Sequence, residues 1–86
     1  MISVSGDFKS DHVDLTSISC GEDATIVAIN TELELQGRLM GLGLFVGSRI
    51  RLFRGGPGKR GPLLLGIGNT RLALSRDVAK KILVEK

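Results

Sequence analysis

The run Arg38-Leu39-Met40-Gly41-Leu42-Gly43-Leu44-Phe45-Val46-Gly47 joins the end of an amphipathic helix to a glycine-punctuated turn and then to a strand. Upstream, Thr31-Glu32-Leu33-Glu34 has the spacing of a capping box, which predicts a helix starting there with the Thr31 hydroxyl and the Glu34 carboxylate satisfying its first amides. Leu35, Leu39 and Leu42 recur at helical spacing and are the expected buried stripe. Glu32 and Glu34 sit at the positive end of the helix dipole, and Gly43 is the expected stop. Gly37 and Gly41 each cost about 1 kcal/mol relative to alanine inside a helix. Their presence predicts a helix backbone lying close to a surface, either the chain's own barrel or a partner.

Downstream, Arg49-Ile50-Arg51-Leu52-Phe53-Arg54 alternates, with Ile50 and Leu52 on one face and Arg49, Arg51 and Phe53 on the other. That period of two predicts a half-buried strand. Residues 55–62 combine four glycines with two prolines and cannot be regular structure, so a mobile basic loop is expected. Leu63, Leu65 and Ile67 alternate again, Gly68-Asn69 is a hairpin signal, and Leu72 and Leu74 continue the pattern. Ser75 can cap a short helical turn, and Ile82-Leu83-Val84 reads as a closing strand.

Before the helix, Val13-Asp14-Leu15 is a short opening segment, Cys20-Gly21-Glu22-Asp23 a turn, and Ala24 to Ile29 an apolar strand covered on both faces. The expected fold is therefore mainly β: a small, partly open SH3-like barrel of about five strands, with one inserted helix and a short C-terminal helical turn. Residues 1–12 are assigned to an N-terminal tail and 13–86 to the domain.

At 86 residues the chain holds one small domain, in a size range where a cofactor-enclosing pocket is unusual. Cys20 is the single cysteine, so no disulfide can form within the chain. With no export-type segment and no apolar run approaching the roughly 20 residues of a membrane span, the expected compartment is the cytoplasm. The charge is segregated: residues 1–36 carry about −6 and residues 37–86 about +9, for a net +3. The basic half suits RNA, anionic headgroups or an acidic protein face.

No catalytic constellation is legible. A tight transition-metal site needs three or four convergent ligands, and the chain has one histidine and one cysteine. Asp11, His12 and Asp14 offer at most a loose cluster. Cys20 has no activating base in view, and the glycines of residues 55–61 lack the ending of a phosphate loop. No cofactor, no metal site and no enzymatic activity are therefore expected. Arg49, Arg51, Arg54, Lys59 and Arg60 form a basic strand and loop that make an RNA-binding barrel the rival reading, with Phe53 as its one stacking platform. The same basic surface suits the acidic first half of a second copy, so a homo-oligomer is also among the expected assemblies.

The segment from Arg38 to Gly47 resembles the RRLxxLGLxPG core of the ferrous-iron transport protein A (FeoA) family, without a gap. Gly37 stands where that family usually has its first arginine, and Val46 where it usually has proline. Gly55 to Gly61 with Pro62, Leu72-Ala73-Leu74, Asp77-Val78-Ala79 and Ile82-Leu83-Val84 follow in the family's order, so the resemblance covers about residues 15–84. It implies a non-enzymatic accessory or regulatory protein of bacterial ferrous-iron uptake. The implied partner is the cytoplasmic GTP-binding part of the membrane transporter FeoB, with recruitment to the inner membrane through it and no insertion of its own. Arg38, Leu39, Leu42, Leu44 and Phe45 are the expected contacts, Leu44 and Phe45 foremost, because the turn carries more apolar surface than a turn needs. Arg38 is expected to hold a carboxylate in a two-pronged contact, either within its own domain or on a partner.

Overall fold

The computed structural model describes residues 12–86. Six antiparallel strands form one sheet in the order β1-β6-β2-β3-β4-β5: β1 His12–Asp14, β2 Asp23–Ile29, β3 Arg49–Arg54, β4 Leu63–Ile67, β5 Thr70–Leu74 and β6 Ile82–Glu85. Two helices interrupt them, α1 Leu33–Gly41 and α2 Arg76–Ala79. The extra strand beyond the five expected is β1, whose three residues pair with Glu85, Val84 and Leu83 of β6. Of the tail assigned to residues 1–12, only His12 lies within the described residues, and it pairs with Glu85.

The interior follows from strand alternation. Ala24 and Ile26 of β2, Ile50 and Leu52 of β3, Leu63 and Leu65 of β4, and Ile82 and Val84 of β6 all point inward and are buried. Leu15 and Ile18 close one end from the turn after β1, where Asp14 caps the short 3-10 segment by accepting from the Thr16 amide at 2.9 Å. A bulge between Ile26 and Ala28 shifts β2 against β6, and a second lies between Leu52 and Arg54. Each bends its strand, which is how a small sheet curls around one core.

The Gly68-Asn69 turn joins β4 to β5 in full antiparallel register from Leu63↔Leu74 to Ile67↔Thr70. Ser75 caps α2, its Oγ accepting from the Val78 amide at 3.2 Å. The start of α1 differs from expectation. The Thr31 hydroxyl donates instead to the Glu32 carbonyl at 3.4 Å, and Glu32 is the N-cap without a side-chain cap bond. The Gln36 side-chain amide, reaching back to the carbonyls of Ile29 (3.0 Å) and Thr31 (2.7 Å), ties the helix to β2.

Residues 55–62, expected to form a mobile loop, are held at both ends. Gly55 and Gly56 are buried. The Arg76 guanidinium donates to the carbonyls of Gly61 (3.1 Å) and Gly56 (3.4 Å), and the Cys20 thiol contacts the Gly55 carbonyl at 3.4 Å.

Candidate functional site

Helix α1 ends in a reversal that sets which apolar side chains face water. Gly43 has φ +95°, a conformation glycine adopts without penalty. Its amide donates to the Met40 carbonyl at 3.0 Å, and the Leu44 amide donates to the Leu39 carbonyl at 2.8 Å. This is a Schellman cap, in which the residue two past the helix folds back onto its last turn. Leu44 consequently packs with Leu39 in the core, at 0% and 3% exposure, while Leu42 stays half-exposed. The expected contact set needs correcting here: Leu39 and Leu44 are core residues, and Leu42 is not part of the buried stripe.

A second turn follows at once. The Ser48 amide donates to the Phe45 carbonyl at 2.9 Å, with Gly47 at φ +99° in the third position, the signature of a type II turn. Ser48 is buried and its hydroxyl fixes the turn twice, accepting from the Phe45 amide (3.0 Å) and donating to the Gly43 carbonyl (2.7 Å). The Gly47 amide donates to the Ile26 carbonyl, and the Ile26 amide to the Ser48 carbonyl, both at 2.8 Å, anchoring the turn on β2.

The two turns present Phe45 (43% exposed) and Val46 (62%) beside Met40. Together with Ile29, Gln36 and Leu44 these residues line an apolar groove of about 460 Å³. Ile29, Gln36, Met40 and Val46 were not anticipated as part of the site. Val46 carried a signal, because a large apolar residue at the second position of a turn has no core to enter. Arg38 lies on another side of α1, in a shallow depression with Glu32, Glu34 and Leu35. It reaches Glu34 at 4.0 Å with both side chains mostly exposed, a single loose contact within its own domain.

The basic residues of β3 occupy the outer face of the sheet. Arg51 is committed to Asp23, with Nε at 2.6 Å and Nη2 at 3.3 Å from the two carboxylate oxygens. The Arg51 hydrogen bond holds the Asp23 carboxyl below its ordinary value of 3.8. Arg49 donates to the Thr25 hydroxyl at 3.1 Å, and Arg54, Lys59 and Arg60 are exposed. Phe53 lies over Gly66, where any Cβ would overlap its ring, and the Arg71 guanidinium sits 4.3 Å from the ring centroid. The one candidate stacking platform therefore already carries a cation.

Among the described residues no group of three or more His, Cys, Asp or Glu is placed to hold a metal ion, and Asp11 lies outside them. The Asp14 carboxylate is engaged locally by Thr16 and Ser17. No helix among them is long and apolar enough to cross a membrane.

The FeoA domain family model matches residues 13–86. Among solved structures, the chain is similar to FeoA of Stenotrophomonas maltophilia complexed with zinc, described as a prokaryotic SH3 domain protein and a candidate ferrous iron transport activating factor. The identity is 28% over 85% of this chain and 89% of that one, with a TM-score of 0.73. FeoA from Chlorobium tepidum is similar at 26% identity over 85% of this chain and 69% of that one, with a TM-score of 0.76. A manganese-dependent transcriptional repressor shares the fold at 17% identity and a TM-score of 0.77, covering 98% of this chain and 47% of that chain. No curated protein sequence matches the chain.

Proposed function

Because the chain belongs to the FeoA family, we propose that the protein serves ferrous-iron uptake as a non-enzymatic accessory factor that docks on the cytoplasmic GTP-binding part of the FeoB transporter. The observation that carries this reading is the apolar groove beside Phe45 and Val46. Phe45 and Val46 are held there by a helix cap and a hydrogen-bonded turn, so docking orders little that is not already ordered. Covering the exposed parts of Phe45 and Val46 is worth about 1 kcal/mol each. A few such contacts around the groove suit a reversible complex better than a permanent one.

The groove receives an apolar side chain or a short helical turn of the partner, with Phe45 as its anchor. Arg38, exposed on another side of the helix, is free to meet an acidic rim residue of the transporter. The test is Phe45→Glu, which puts a carboxylate at the groove. The expected result is at least a tenfold loss of binding to the isolated GTP-binding domain, about 1.4 kcal/mol, with cooperative unfolding retained. Unchanged binding by a folded Phe45→Glu variant removes the groove from the docking surface.

A further inference from the structure

The outer face of α1 carries an arrangement that the barrel does not use. A Cβ added at Gly37 or Gly41 meets nothing within 4 Å, so neither glycine is there to admit the domain's own backbone or side chains. The helix nevertheless bears their propensity cost of about 1 kcal/mol each. On the same face Leu33 is 83% exposed, the most exposed large apolar side chain among the described residues. At 100° per residue, Leu33, Gly37 and Gly41 fall within an arc of about 80°, opposite the buried Leu39. Glu34 and Arg38 run along one flank of that arc.

We infer that this face pairs with the same face of a second copy of the chain, the two α1 helices antiparallel about a two-fold axis. The occupant follows from self-complementarity. When Glu34 of one copy stands level with Arg38 of the other, Leu33 stands level with Leu39 of the other, midway between that copy's Gly37 and Gly41. The leucine then enters the opening that the two absent side chains leave, and the axis makes both contacts twice. Charge and shape thus select one register independently. A parallel pairing about a two-fold axis puts the charged flanks on opposite sides of the contact, so Glu34 and Arg38 do not meet across it, and places leucine against leucine.

Glycine at the crossing lets the helix axes approach closer than the roughly 8–10 Å of ordinary helix packing. The nine residues of α1 span only about 13 Å, so the contact is small and the dimer weak and concentration-dependent. This pairing uses the outer face of the helix, where docking uses the groove at its C-terminal end, and the two readings share only Arg38.

The test is sedimentation of the full chain across a concentration series, with charge variants used alone and mixed. Wild type is expected to pass reversibly from monomer to dimer. Gly37→Leu, which fills the opening, is expected to stay folded by circular dichroism and to remain monomeric. Glu34→Arg and Arg38→Glu are each expected to weaken the dimer about tenfold, since each sets like charges together at both contacts. An equal mixture of the two variants is expected to dimerise as wild type does. One helix then carries two arginines and the other two glutamates, so both contacts across the axis again join opposite charges. A wild-type chain that stays monomeric at every concentration overturns the inference. So does a dimer indifferent to Gly37→Leu, or one that the mixture fails to restore.

Discussion

Leu42 and Leu44 are the same residue type two positions apart, and the Schellman cap gives them opposite environments. Leu44 is fully buried beneath α1, whereas Leu42 is 47% exposed at the C-cap. Truncating Leu44 to alanine removes a closed-in side chain and leaves a cavity, a change that costs about 2–5 kcal/mol. The same truncation at Leu42 gives up about half of a leucine's burial, about 1 kcal/mol. A domain of this length has a total stability of about 4–13 kcal/mol, so Leu44→Ala consumes a large share of it. Urea unfolding followed by circular dichroism measures both variants. With a slope of about 1 kcal/mol per molar urea, the Leu44→Ala midpoint falls by about 2 M or more and that of Leu42→Ala by about 1 M or less. If Leu42→Ala is as costly as Leu44→Ala, the reversal at Gly43 is misassigned, and Leu44 returns to the candidate docking surface.

Three further outcomes follow from the same geometry. Val46 occupies the second position of a type II turn, where proline fits, so Val46→Pro is expected to raise stability by about 0.4–1 kcal/mol, measured as a higher urea midpoint. Ser48→Ala leaves the part-buried Gly43 carbonyl and Phe45 amide without their hydroxyl partner, costing about 1 kcal/mol, and should weaken docking as the turn loosens. Arg51 holds the Asp23 carboxyl below 3.8, so the pair's contribution to stability is complete above that value and is lost as the pH falls through the depressed one. Carboxyl-carbon NMR should show Asp23 titrating below 3.8 in the wild type and moving back toward it in Arg51→Gln.

Elements with a regular period were legible in the sequence. The alternation of Arg49 to Arg54 marks β3 to the residue, Gly68-Asn69 marks the hairpin, and Ser75 marks the cap of α2. The start of α1 was misread by one residue: Glu32 is the N-cap, the Thr31-Glu34 capping bonds do not form, and Gln36 instead ties the first turn to the Ile29 and Thr31 carbonyls. The site was half legible. Phe45 was visible as excess apolar surface, but the periodicity that placed Leu42 inside does not extend past Gly43, where the chain reverses and Leu44 takes the inner position. The helix glycines were read as a close approach either to the barrel or to a partner, and the barrel is excluded because nothing in the domain faces them. No local pattern reports what lies opposite a helix face. β1 was indistinct because a three-residue strand is too short to show alternation.

The measurement that bears most directly on the account is a calorimetric titration of the full chain into the soluble GTP-binding domain of the same organism's ferrous-iron transporter, at low and high salt, with single-stranded RNA as a parallel ligand. Docking through an apolar groove predicts saturable binding to the protein domain that survives high salt, loss of that binding in Phe45→Glu, and no comparable binding of RNA. Binding to RNA alone, falling steeply with salt, contradicts the account and assigns the function to the basic face of Arg49, Arg54, Lys59 and Arg60.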